Sequence, residues 1–200
     1  MNVVTPLNTG TLTGRFIALE PMEERHHAGL IAAADDPELW RYIPVDGAHG
    51  GFGRRLPAFA DEMAKGNQIA YAVRRLSDGT IVGSTSYLAL SPENARVEIG
   101  FTFYAASAHN TAVNPEAKYL LLQNAFAAQY NRVEFKTDAK NARSRAALKK
   151  LGASEEGVLR GHMWMPQGYY RDSVFFSILA AEWPTIKIAL ERRIAAFAAA

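Results

Sequence analysis

Apolar and polar residues alternate along "RFIALEP" (15–21), which predicts a first strand ending at Pro21. The next stretch, "MEERHHAGLIAAADD", places Leu30, Ile31 and Ala34 on one side of a helix. "PELWRYIPVDGAHGG" is punctuated by proline and glycine and predicts loop or short turns. Phe52, Leu56, Phe59, Ala60 and Met63 then return at helical spacing until "KGN" stops the helix, with Pro57 predicting a kink inside it. Two β-rich runs, "IAYAVRRL" and "TIVGSTSYLAL", flank Ser-Asp-Gly and predict a hairpin. After the turn "SPEN", the run "ARVEIGFTFY" predicts a third consecutive strand. A helix from about Pro115 to Gln129 follows, then the strand "RVEFKT", then a helix from Asn141 to Leu151 closed by Gly152. "EEGVLRGHMWM" and "YYRDSVFFSIL" flank the turn "PQG" as a closing hairpin. Pro184 opens a last helix whose stripe is Ile186, Leu190, Ile194 and Phe197.

That order predicts an α+β fold: a mixed, mostly antiparallel sheet of about seven strands with helices on both faces. No repeat or linker interrupts it, so residues 1–200 read as one domain. The strand–helix–strand unit around "HNTAVNPEA" should be parallel and right-handed, which puts its loop at the carboxyl ends of strands, where open sheets bind ligands.

The loop "SAHNTAVNPEA" (107–117) leads from an apolar strand into a helix, and a helix N-terminus offers unpaired N–H groups and partial positive charge to an anion. It contains no glycine, but the donors are main-chain groups that Asn110, Thr111, Ala112, Val113 and Asn114 all possess. Asn114 before Pro115 suits an N-cap, and the plainer reading of the loop is a capped helix start. In "TDAKNARSRAALKKLGA", Ser144, Ala147, Leu148 and Leu151 fall on one helical face, which carries the Ser144 hydroxyl onto the buried stripe. Asn141 faces the same way one turn earlier, either as an N-cap or as an amide available to a ligand.

Composition removes several chemistries. The 200 residues contain no cysteine, so disulfides, thiolate metal sites and a cysteine nucleophile are excluded. The five histidines include only one adjacent pair, His26 and His27, which cannot share a helix face, and no metal is expected. A net charge of +2 without a basic run argues against nucleic acid. No apolar run reaches the ~18 residues of a membrane helix, and the N-terminus lacks a signal-peptide pattern; a soluble, cytoplasmic protein is expected.

"VEIGFTFY", "HNTAVNPEAKYLLL", "RVEFKTDAKNARSRAALKKLGASEEGVLRGHM" and "YYRDSVFFSIL" together resemble the GCN5-related N-acetyltransferases (GNAT), nearest to the branch of the ribosomal-protein N-terminal acetyltransferases. The resemblance runs from Arg15 through Leu179 and is most specific in Asn-x-x-Ser followed by Leu-Gly-Ala-x-x-Glu-Gly. The family's loop pattern is Gln or Arg, two residues, Gly, one residue, then Gly or Ala; His109, Ala112 and Asn114 occupy those positions here. The resemblance implies that acetyl-CoA is the co-substrate, its pyrophosphate on the amides from Asn110 to Asn114. It also implies that Asn141 bonds the pantetheine arm and that Ser144 protonates the departing thiolate. Without cysteine, direct attack by a bound amine is the simplest route, the acceptor being a protein N-terminal α-amine or a small-molecule amine. Neutralising those amines at pH 7 costs about 1.2 kcal/mol for an α-amine and about 4.6 kcal/mol for a lysine. Glu98, which interrupts an apolar run as "VEIGF", is the candidate base, either facing solvent or lying in a site between strands. Trp40 and Tyr42 on one loop and Tyr170 on the closing hairpin are candidate acceptor contacts, with Trp40 also suited to plugging the helix packing. Two other readings stay open: an acyl-CoA-binding module with weak catalysis, and a structural protein that forms a homodimer through the Ile186–Phe197 stripe.

Overall fold

The computed structural model describes residues 4–198. Among these, eight strands form one sheet in the order β1-β2-β3-β4-β5-β6-β8-β7. The strands are β1 (Leu12–Thr13), β2 (Ile17–Pro21), β3 (Gln68–Arg75), β4 (Ile81–Ser91), β5 (Arg96–Tyr104), β6 (Arg132–Asp138), β7 (Ser154–Met165) and β8 (Tyr169–Leu179). The helices are α1 (His27–Ala33), α2 (Gly51–Ala64), α3 (Val113–Ala127), α4 (Ala142–Leu151) and α5 (Trp183–Ala196). Only β5 and β6 run parallel; every other pairing is antiparallel. The α+β expectation is borne out. The eighth strand is β1, whose two residues are too short to show a period.

Alternation along the strands divides the interior into two cores. On β3, Tyr71 and Val73 face α3, α4 and α5, packing with Tyr87, Leu121, Phe135, Phe176 and Ile186. Ala70 and Ala72 face the other way, toward Leu30, Trp40, Phe52 and Phe59 around α1 and α2. Alanine on that side lets the aromatic cluster of Trp40, Phe52 and Phe103 approach the sheet, with ring centroids 5.0–5.8 Å apart. The α5 stripe is covered within the chain: Ile186, Leu190 and Ile194 are buried, and α5 packs on α3. It is therefore not the free face that the sequence offered to a second copy.

Two helix details differ from expectation. α2 runs through Pro57, whose missing N–H leaves the Gly53 carbonyl without its usual donor. α3 begins at Val113, two residues early, so Asn114 lies in its first turn and Ala112 holds the cap position without a side-chain bond. Thr111 does the capping work instead: its Oγ1 accepts from the Val113 N–H at 3.3 Å and donates to the Ala108 carbonyl at 2.8 Å.

The sheet parts in its middle. β5 and β6 pair only at Arg96–Arg132, Val97–Val133 and Glu98–Glu134. Beyond that point β5 stays with β4 as far as Tyr104, and β6 stays with β8 as far as Asp138. β5 also bulges there: between the pairs Ser86–Gly100 and Ser84–Phe103, both Phe101 and Thr102 oppose the single residue Thr85. Phe101 takes φ of 46°, a left-handed conformation that a bulky side chain adopts only under strain.

Candidate active site

The loop between β5 and α3 closes one end of the parting. After a 3-10 turn at Ala106–Ala108, His109 donates from Nε2 to the Tyr104 carbonyl at 3.0 Å, holding the loop against the strand it left. Asn110 then takes φ of 59°. This is the position where the chain needs the conformational freedom of glycine, and asparagine is the side chain that best tolerates it. The N–H groups of Asn110, Thr111, Ala112 and Asn114 meet no acceptor among the described residues. They lie at the positive end of the α3 dipole, a place that attracts an anion.

Beside this loop lies a pocket of about 340 Å³, with Thr111, Ala112 and Val113 on one wall and Arg15, Phe16 and Arg75 on another. Arg75 is held by Asp78 at 2.6 Å, whereas the exposed Arg15 has no carboxylate partner among the described residues. A buried carboxylate in α3 places Arg15 there. Glu116 accepts from the backbone N–H groups of Arg15, Phe16 and Ile17 at 2.7, 2.7 and 2.9 Å. Gly14 makes room for it, since a Cβ at that residue would stand 2.4 Å from the Glu116 carboxyl carbon.

On the α3 side of the parting, Lys118 reaches from α3 to the bulge. Its Nζ donates to Thr102 Oγ1 at 3.2 Å and lies 5.6 Å from the Phe135 ring. Burial pushes this lysine down to about 7. At the amino end of α4, Asn141 Oδ1 accepts from the Ser144 N–H at 2.9 Å, so the amide caps the helix. Its Nδ2 has no acceptor among the described residues and remains a donor. Ser144 is half-buried rather than carried into the core; Leu148 and Leu151 take the buried positions. The Ser144 hydroxyl thus stays within reach of solvent in the first turn.

The opposite side of the parting holds a different set of groups. Glu98 is the last β5 residue paired with β6, and because Val97 and Ile99 face α3, its side chain faces α1 and α2. It is buried, not solvent-facing, and forms an ion pair with Lys136 Nζ at 2.9 Å. Asp138, at the end of β6, accepts from the Tyr169 hydroxyl and from the Lys140 N–H at 2.8 Å. Burial and that carboxylate push the Tyr169 hydroxyl up to about 12. The Tyr42 hydroxyl is close enough to contribute to the same shift. Arg171 is buried beside these groups; burial pulls its guanidinium below the usual arginine range, against the opposing charges of Asp138, Tyr169 and Glu98. The β7–β8 turn reaches over this face, with Gln167 Nε2 donating to the Trp40 carbonyl at 2.7 Å.

Two candidate contacts are corrected by these positions. Trp40 is 2% exposed, and its indole N–H is spent on the Ala34 carbonyl at 2.8 Å, so the ring packs the core between α2 and β5. Tyr170 is 68% exposed and packs edge-on against Trp164, on the other side of β8 from Tyr169 and Arg171. The alternation of Val174, Phe176 and Ile178 toward α3 already carried this information, since it sends Tyr169 and Arg171 the opposite way. Lys136 and Asp138 follow from the same parity on β6, opposite Val133 and Phe135. Among the described residues, no group of three His, Cys, Asp or Glu side chains is placed to hold a metal. No described helix is long and apolar enough to cross a membrane.

The model of the acetyltransferase (GNAT) domain matches residues 17–154. The curated Bacillus subtilis protein YdaF, named as a candidate ribosomal N-acetyltransferase, is 31% identical over 109 residues, 54% of this chain. The match spans 58% of that relative's length. A GCN5-related N-acetyltransferase from Brucella melitensis is 27% identical with a TM-score of 0.86, covering 95% of this chain and 89% of that one. RimJ from Mycobacterium smegmatis, solved in complex with CoA-disulfide, shares the fold at 24% identity, with a TM-score of 0.76 over 94% of this chain and 91% of its own. With the domain model covering more than half of its length, a sheet parted between its parallel strands, and free amides at the mouth of the parting, the chain belongs to the GNAT acetyltransferase family.

Proposed function

We propose that the protein transfers the acetyl group of acetyl-CoA directly to an amine, in the cytoplasm, with both substrates bound together. The observation that carries this reading is the coincidence of two features at one place: the parting of β5 from β6 and the unbonded amides that open α3. Acetyl-CoA supplies an activated acetyl thioester, and its co-crystallised relative CoA-disulfide in RimJ fits the same expectation. In this chain the amides of Asn110, Thr111, Ala112 and Asn114 hold the pyrophosphate, with Arg15 as a counter-charge. Val113 contributes through its place in the turn, since its own N–H is bound to Thr111. His109 shapes the loop from below. Asn141 Nδ2 donates to the pantetheine arm while Oδ1 keeps the cap, and the Ser144 hydroxyl supplies the proton to the thiolate.

The acceptor enters from the α1–α2 side, past Tyr42 and Tyr169. Glu98 receives the amine's proton, which requires the incoming nitrogen to compete with Lys136 for the carboxylate. That competition also gives substance to a second reading, an acyl-CoA-binding protein with weak catalysis. A protein N-terminus, as the name of the ribosomal acetyltransferase relative suggests, and a small amine are the two acceptor classes of this reading.

Isothermal titration tests the cofactor half of the proposal. Micromolar binding of acetyl-CoA, with binding of ATP at least about a hundredfold weaker, is expected for a pocket that reads pantetheine as well as phosphate. No heat at millimolar acetyl-CoA would remove both the transferase and the acyl-CoA-binding readings.

A further inference from the structure

Arg171 is 5% exposed, yet none of its five N–H donors meets an acceptor among the described residues, and its Nε is closed to solvent as well. Such a group is costly, because each buried donor forfeits the hydrogen bonds it made in water. The neighbouring acids do not relieve it. Glu98 is bound to Lys136 at 2.9 Å, Asp138 is bound to the Tyr169 hydroxyl and the Lys140 N–H, and neither carboxylate comes within 4 Å of the guanidinium. Three cations, Lys136, Arg171 and Lys140 (whose ammonium lies 3.9 Å from the Tyr169 ring), face those two carboxylates, so the site has spare hydrogen-bond donors and one spare positive charge. A planar monoanion satisfies that condition; a phosphate dianion would overshoot it. On the same face, Glu98 offers a negative charge at the point where the strands part.

We propose that Arg171 is the receptor for a carboxylate carried by the acceptor, so that the substrate is a small amine bearing a carboxylate, of amino-acid type. The carboxylate lies on the guanidinium fork and the amine lies toward Glu98, which orients the nitrogen to the gap between β5 and β6. The inference rests on reading this face as the acceptor site, and it names the substrate class that face selects.

The test uses binding, so that it does not depend on turnover. N-acetylglycine and N-acetylglycinamide differ only in the carboxylate and represent the acetylated product. The account predicts that the wild-type protein, saturated with CoA, binds N-acetylglycine about tenfold or more tightly than the amide. N-acetylglycine should also move the Arg171 Nε–H resonance in a nitrogen-labelled sample. Arg171→Met should erase the preference. Arg171→Lys, which keeps charge and length but loses the fork, should cut it at least about threefold and provides the answer if the Met variant does not fold. Equal affinities in the wild type, or a preference that survives both variants, would overturn the proposal. Failure of the transferase reading looks different: carboxylate selectivity would persist while no amine releases thiol from acetyl-CoA.

Discussion

Among the described residues, the Lys118 ammonium meets a threonine hydroxyl and an aromatic ring and no carboxylate, and burial pushes it down to about 7. An unfolded lysine holds its proton to ~10.4, so between about pH 7 and pH 10 the unfolded chain binds more protons than the folded one. Stability from this residue therefore rises with pH across that window, and below it the folded state bears the full cost of a buried ammonium. Lys118→Met should melt about 5 °C higher than the wild type at pH 7, from a gain of roughly 2 kcal/mol, and the difference should shrink toward pH 10. Melting curves for the two proteins that run parallel from pH 6 to pH 10 would contradict this. Sequence gave no warning of the residue, because a lysine in "EAKYLLL" looks like an ordinary solvated helix position. Only the bulge at Phe101–Thr102, which turns Thr102 toward α3, supplies its one hydroxyl partner.

The β5–α3 loop shows how one element substitutes for missing glycine. The polar composition of "AHNTAVN" and the proline after it made a helix start legible, but not which asparagine would turn the chain. Asn114 next to Pro115 looked like the cap; Asn110 carries the left-handed turn instead, and Thr111 bridges the gap to the helix. Both asparagines carry the same local propensity; what separates them is where α3 begins, at Val113, one turn before Glu116 anchors it to the backbone of residues 15–17. Asn110→Gly should leave acetyl-CoA affinity within about threefold of the wild type, since glycine adopts the same φ without cost. Asn110→Val should lower it about tenfold or more, because a β-branched residue is excluded from that region. Equal affinity in the valine variant, measured by titration, would show that the turn does not present the amides.

At the scale of the molecule, the parted sheet gives the chain two approaches to one gap. The α3 loop, Lys118 and Asn141 border one, and Glu98, Tyr42, Tyr169 and Arg171 border the other. The order of elements along the chain and the two helical layers were readable from hydrophobic period and turn signals, whereas the placement of β8 rather than β7 beside β6 was not. The length over which β5 and β6 stay paired was not readable: β5 stays largely apolar past Glu98 and β6 keeps alternating past Glu134, so nothing in either pattern marks where the pairing stops. Glu98 and Asn141 stood out in sequence by interrupting an apolar run and by opening a helix, whereas Arg171 and Asp138 could be placed only by carrying the parity of β8 and β6 back from their buried residues. The central claim is that both substrates meet in this gap at the same time, in a chain that has no cysteine to carry the acetyl group between them. Its most direct test is the release of CoA thiol with acetyl-CoA and an amine varied against each other. The account predicts amine-dependent release with intersecting double-reciprocal lines and one acetylated amine per thiol. Parallel lines, or release that does not depend on the amine, would contradict it.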